Sequence, residues 1–182
     1  VDSNQVRSLG SGIDHDIDSV YREDLVSGRY TENELDDFNG YFLMQFSAIG
    51  NYWGQPMYIG GSEEDGSTRF SDTTLKILDI YDELGIYNPK IHVKYTSRTP
   101  EKYLRKICGM IRRGHSSFVF VCEDNVLRGM RERGIPFSRA YDFDVKGCYE
   151  FTVRGEEFST APMYINLAAP AIIAKQSGPE GE

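Results

Sequence analysis

The residue best suited to chemistry is a cysteine. The chain has three, and Cys148 alone stands outside any amphipathic pattern, in Lys146-Gly147-Cys148-Tyr149-Glu150. Gly147 lets the backbone turn sharply or approach another group closely. In an extended segment, residues two apart point to the same side, so Cys148 and Glu150 project into one space. A sulfur and a carboxylate facing one cavity can divide labour, one reacting while the other moves protons. Gly-Cys-x-Glu also arises by chance, and the pair alone leaves a merely packed cysteine open. Cys108 lies on the apolar stripe of an expected helix and Cys122 at the end of an expected buried strand. Both read as small packed hydrophobes.

Other candidates fail on chemistry. The stretch from Gly60 to Gly66 is glycine-rich, but it lacks the Gly-Lys-Ser/Thr ending of a phosphate loop. It also sets Glu63 and Glu64 where phosphates would lie. A structured loop is the expectation. His15, His92 and His115 have no ligand-spaced partners, which argues against a metal site and for structural roles. Nothing marks a nucleophile elbow, so no Ser-His-Asp constellation can be assembled.

The surrounding elements alternate between helix and strand. Thr31 and Glu34 form a capping box, and Leu35, Phe38, Phe42 and Phe46 mark one face of the helix that follows. A helix is expected from Asp72 to Leu84, with Leu75, Leu78 and Tyr81 inward, and Asn88-Pro89 breaks the chain. Ile91 to Thr96 reads as a strand. Thr99 caps a helix with Pro100 at its first position; Leu104, Ile107, Cys108 and Ile111 form its stripe, and Gly114 ends it. The continuous apolar run Phe118 to Cys122 suits a strand buried on both faces. Helices are expected over Asn125 to Arg133, Ser138 to Phe143 and Ala161 to Lys175, with Asp144 to Arg154 extended or looped between the last two. Strands separated by helices imply parallel βαβ units and an α/β fold.

The totals fit that outline. A length of 182 residues can bury a sizeable core, and the twelve tyrosines and ten phenylalanines argue against disorder. A net charge of −8 with no basic face argues against nucleic acid as a partner. The basic stretch from Arg128 to Arg139 is interleaved with Glu132, Gly129 and Gly134 and reads as a solvated helix face. Three cysteines at unrelated spacings suit a reducing cytoplasm. No stretch is apolar and long enough to span a membrane.

Five stretches, in order, resemble the pyruvate formate-lyase-like family of glycyl radical enzymes. They are Asp18 to Thr31 ahead of the Thr31 helix start; Gly54-Gln55, Gly60-Gly61 and Asp65-Gly66; Asn88-Pro89 to Pro100; Ile111-Arg112-Arg113-Gly114 with Glu123-Asp124; and Gly147-Cys148-Tyr149-Glu150 followed by Gly155 and Asn166. The match covers about residues 13 to 175.

The resemblance implies that residues 1–182 are a fragment of one catalytic domain, part of a ten-stranded α/β barrel built from two parallel half-barrels. It implies that Cys148 carries a thiyl radical and that Glu150 is the general base. No cofactor is expected to be bound by this chain. The stored glycyl radical belongs to a C-terminal segment that does not match any of these residues, and a radical SAM activating enzyme installs it. The implied activity is anaerobic radical elimination, dehydration or C–C or C–N cleavage of a small polar substrate, with the fragment inert alone. The implied partners are that substrate and the activating enzyme; a homodimer of the full-length enzyme is left open.

Departures qualify the picture. Gly147 replaces the first of the two adjacent cysteines used in acyl transfer to coenzyme A, so formate acetyltransferase chemistry is disfavoured. Thr160 and Ala161 stand where the diol dehydratases carry a His-Asp pair, and Asp72 replaces an Asn in the family's "T-N-x-L". A non-catalytic homologue or assembly module keeping the scaffold is the alternative these departures raise.

Overall fold

The computed structural model describes residues 12–49, 56–146, 150–156, 166 and 168–177. Helices α1 (Ile13–Ser27) and α2 (Glu32–Ala48) precede strand β1 (Met57–Gly60). Then come α3 (Asp72–Leu84), β2 (Ile91–Tyr95), α4 (Glu101–Arg112), β3 (Phe118–Cys122) and α5 (Glu123–Glu132). The single turn α6 (Phe137–Ala140), strands β4 (Phe143–Lys146) and β5 (Glu150–Val153), and α7 (Ala169–Ser177) complete the order.

The first three strands form a parallel sheet in the order β1-β2-β3, with Met57 opposite Ile91 and Ile91 opposite Phe118. Parallel neighbours need crossovers, and α3 and α4 supply them. The α/β expectation holds. Side chains alternate across a strand, and the two faces of this sheet differ accordingly. Met57, Ile59, Ile91 and Val93 face a core shared with Leu43, Ile77, Leu78, Tyr81, Tyr103, Ile107 and Met110 of the helices. Fully burying one large side chain of this kind is worth about 1.5–3 kcal/mol. Tyr58 and Val121 face a second cluster, with Met130, Ala140, Phe143 and Val145. The β4–β5 pair is antiparallel and packs on this second face through Phe143 and Val145.

Local chemistry explains the helix starts. The Thr31–Glu34 capping box forms as expected. A second box joins Ser71 and Thr74: the Ser71 hydroxyl accepts from the Thr74 amide at 3.3 Å, and the Thr74 hydroxyl accepts from the Ser71 amide at 3.0 Å. Ser71→Ala is expected to destabilise the protein by about 1 kcal/mol, read as a lower urea midpoint at unchanged slope.

Several packing expectations are corrected. In α2 the buried residues are Leu35, Asn39, Gly40 and Leu43, while Phe38 is half exposed and meets Tyr30 edge-on at 5.2 Å. In α4 the stripe is rotated: Tyr103, Ile107 and Met110 face inward, and Ile111 and Cys108 are exposed. The stack of Tyr103 on Phe70, with centroids 4.7 Å apart, sets that rotation. Cys108 is therefore not a packed hydrophobe, and Cys122 is only half-buried. The α4 cap is Pro100 rather than Thr99; the Thr99 hydroxyl accepts from the Thr96 amide at 2.9 Å. Strand β3 is not buried on both faces: only Val121 is buried, and Phe120 is 42% exposed. It is an edge strand among the described residues, so one flank has no neighbour to cover it. Helix α5 starts two residues earlier than expected, α6 is one turn, and α7 begins at Ala169; of the earlier part of that expected helix, Asn166 and Ala168 are not helical and residues 161–165 and 167 lie outside the described residues. Among the described residues no helix is long and apolar enough to cross a membrane.

Candidate active site

Parallel α/β sheets place ligands at the carboxyl ends of their strands. Here that edge is built by Gly60 and the loop after it, by Lys94, and by Glu123 at the junction of β3 and α5. Gly60 and Gly61 have φ of 72° and 99°, the left-handed region. A Cβ on Gly60 would lie 2.2 Å from the Phe70 ring, and one on Gly61 would lie 3.3 Å from Lys94 Cε and 3.5 Å from Glu123 Oε1.

The amides of this turn already have acceptors. The Gly60 amide donates to Asp14 Oδ2 at 3.1 Å, the Gly61 amide to the Lys94 carbonyl at 2.9 Å, and the Ser62 amide to Glu123 Oε1 at 3.2 Å. The Ser62 hydroxyl donates to Glu123 Oε2 at 2.9 Å. The loop closes through Glu63 to Ser67 and Gly66 to Glu63 backbone bonds, each 2.8 Å. It is a structured turn whose Gly60, Gly61 and Ser62 amides bind oxygens of the protein itself.

Lys94 is fully buried. Its Nζ donates to the Phe143 carbonyl at 2.9 Å and sits 4.1 Å from the Phe143 ring centroid. Burial pushes its ammonium down to about 8, with Glu123 pulling weakly the other way. Tyr58, two positions before Gly60 and also fully buried, donates its hydroxyl to the Val145 carbonyl. Both contacts fall on β4. A third link fixes the approach to that strand. Arg69 donates to Asp142 at 2.7 Å and pairs with Glu63 at 3.3 Å, and Arg154, just after β5, donates to the other oxygen of Asp142 at 3.2 Å.

The β4–β5 register ends at Lys146 opposite Glu150. Three residues join the strands, with Cys148 in the middle. Cys148 itself lies outside the described residues, as do Thr160 and Ala161. The backbone of Glu150 belongs to β5. Asp72 begins α3, its carboxylate accepting from Lys102 at 2.9 Å on the surface.

The histidines are spread apart. His15 pairs with Glu63 at 3.0 Å and His115 with Asp82 at 3.0 Å. His92 is buried beside Tyr58, with ring centroids 4.8 Å apart, and burial pushes it down to about 4. Tyr58, Lys94, Arg69 and Asp142 were not picked out from the sequence. A signal existed: Tyr58, His92 and Lys94 break otherwise apolar strands at alternate positions, a period that puts them on one face.

Residues 2–178 match the model of the pyruvate formate lyase-like family. The chain is 27% identical over 108 residues to a trans-4-hydroxy-L-proline dehydratase from Clostridioides difficile, covering 59% of this chain and 14% of that protein. It is 26% identical over 165 residues to an isethionate sulfite-lyase from Nitratidesulfovibrio vulgaris Hildenborough, covering 82% of this chain and 20% of that protein. Its fold matches a glycyl radical enzyme from Archaeoglobus fulgidus with a TM-score of 0.72 at 20% identity, over 81% of this chain and 21% of that one. The chain thus spans 14% and 20% of the length of these two curated relatives.

Proposed function

Because this chain belongs to the pyruvate formate lyase-like family, we propose that it is the Cys-loop portion of the catalytic domain of a glycyl radical lyase, with Cys148 as the hydrogen-atom carrier and Glu150 as the base. The observation that supports this reading best is the docking of the β4–β5 pair: two buried side chains, Tyr58 and Lys94, fasten to the backbone of the strand that leads into Cys148. A glycyl radical stored on another segment would supply the one-electron oxidation that converts the Cys148 thiol to a sulfur radical, the thiol hydrogen atom passing to the glycine carbon.

The Cys148 sulfur radical then takes a hydrogen atom, with one electron, from a substrate carbon, breaking C–H and forming S–H. The Glu150 carboxylate removes the proton of the hydroxyl or amine on that carbon. The bond from the neighbouring carbon to its leaving group breaks, and the leaving group departs with the electron pair. The resulting product radical recovers a hydrogen atom from the Cys148 thiol and regenerates the sulfur radical. These intermediates are reactive, so the reading requires that the complete catalytic domain exclude water from them. The curated relatives carry names for a hydroxylated amino acid and a hydroxyalkyl sulfonate, and this supports a small polar substrate bearing an anionic group.

The test uses the full-length native polypeptide, treated anaerobically with a radical SAM activating enzyme and S-adenosylmethionine. It is then offered trans-4-hydroxy-L-proline, isethionate and (2S)-3-sulfopropanediol. An organic radical signal and turnover of at least one compound are expected. Failure to form any radical while a known family member is activated alongside would favour the non-catalytic reading. In the active protein, Glu150→Gln is expected to lower kcat by about 10²–10⁴-fold with the radical signal intact.

A further inference from the structure

The two ties described above between the parallel sheet and β4, from Tyr58 and from Lys94, both end on backbone carbonyls rather than on side chains. Phe143 and Val145 are two apart, and in a strand such residues send their carbonyls from the same edge. One edge of β4 is therefore held at two successive points, by Lys94 Nζ at 2.9 Å and by the Tyr58 hydroxyl. The two donors come from adjacent strands, β2 and β1. They are buried, and so are the Phe143 and Val145 side chains between them.

We propose that Tyr58 and Lys94 are positioning residues for Cys148, setting its place relative to the sheet through the carbonyls of Val145 and Phe143. The inference rests on the reading of Cys148 given above. Val145 lies three residues before Cys148, so a displacement of β4 along or away from the sheet passes to the sulfur with little chain to absorb it. Hydrogen-atom transfer requires donor and acceptor in near-contact, and an error of about 1 Å costs on the order of 10²-fold.

The surroundings fix the donors as firmly as the donors fix the strand. Gly61, which has no side chain, lets the loop pass between Lys94 and Glu123. Ser62 holds both oxygens of Glu123 on the far side of that gap. His92 packs against the Tyr58 ring. The pair Arg69–Asp142 holds the residue just before β4, and Arg154 binds the same carboxylate from the end of β5. The base of the strand pair is thus tied from both of its chain ends, and Tyr58 and Lys94 act along its length toward Cys148.

Two variants test the proposal in the full-length protein. Tyr58→Phe removes one hydroxyl without changing the ring, and Lys94→Met removes the donor while keeping the length of the stem. In the unactivated protein, amide deuterium uptake over residues 143–150 is expected to rise about 10-fold in rate in either variant, with uptake over α3 unchanged. After activation, turnover per radical counted by electron paramagnetic resonance is expected to fall about 10–100-fold at unchanged KM. Lys94→Arg, which keeps a donor, is expected to recover most of it. Unchanged uptake over 143–150, or turnover per radical equal to the parent in both variants, overturns the proposal. Cys148→Ala run alongside separates the two levels. If it is inactive while both variants behave like the parent, only the positioning role falls; if it turns over, the reading of Cys148 falls too.

Discussion

Cys148→Ala in the activated full-length protein is expected to abolish turnover, a loss of at least about 10⁴-fold, while leaving the stored radical detectable. The size of the effect follows from what the sulfur does. A thiol can give up a hydrogen atom and take one back from carbon with little net cost either way, so it can serve both half-reactions of a cycle. An alanine methyl offers only a strong C–H bond and cannot return what it takes. The substitution keeps Cβ and adds no volume, so the β4–β5 pairing, carried by Phe143 to Lys146 against Glu150 to Val153, does not depend on it. Radical yield and product formation are therefore read separately: an intact signal with no product is the expected pair. Turnover at parental rate would remove Cys148 from the chemistry altogether. The contrast with Glu150→Gln is graded, because a proton can reach water by another route more slowly, whereas a hydrogen atom has no substitute carrier among acid–base groups.

The order of helices and strands could be read from the sequence because its signals are local. Thr31 with Glu34, and the Leu78–Tyr81 spacing, specify a start and a face within one or two turns. The parallel sheet followed from alternation of element types. What could not be read depended on distant partners. The rotation of α4 toward Tyr103 is decided by Phe70, thirty-three residues earlier. The exposure of Phe120 is decided by the absence of a further strand beside β3 among the described residues. The site shows the same division. Cys148 and Glu150 stood out through a two-residue spacing, while Lys94 became meaningful only when Phe143, forty-nine positions away, presented its carbonyl. Lysine in a strand read alone is an edge residue facing water; buried against a carbonyl and an aromatic ring, it is a fastener.

Asp14→Asn is expected to change how stability depends on pH, by about 3 kcal/mol between pH 3.5 and pH 7 relative to the parent. Asp14 is fully buried in α1. Its Oδ2 accepts from Thr74 Oγ1 at 2.7 Å and from the Gly60 amide at 3.1 Å, and its Oδ1 has no partner among the described residues. Burial outweighs those bonds and pushes the carboxyl up to about 6 from 3.8. The folded chain thus holds a proton that the unfolded chain has released across that interval. The group's contribution is complete below pH 3.8 and is lost as pH rises through 6. His92 acts in the opposite sense over nearly the same window. Burial, with a smaller push from Lys90, lowers it to about 4 from 6.5, so its contribution is present above pH 6.5 and is lost as pH falls through 4. Both groups adjoin β1: Asp14 binds the Gly60 amide at its end, and His92 packs beside Tyr58 from the neighbouring strand β2. In the parent their slopes offset one another. Asparagine keeps an oxygen for Thr74 and Gly60 but has no proton to lose, so His92 is left unopposed and stability should climb more steeply from pH 4 to 6.5. Urea unfolding followed by circular dichroism, at pH 3.5 and pH 7 for both forms, gives the difference directly. A free-energy gap between the two forms that is the same at both pH values would mean that Asp14 ionises inside the fold at its ordinary pH, which requires water to reach Oδ1.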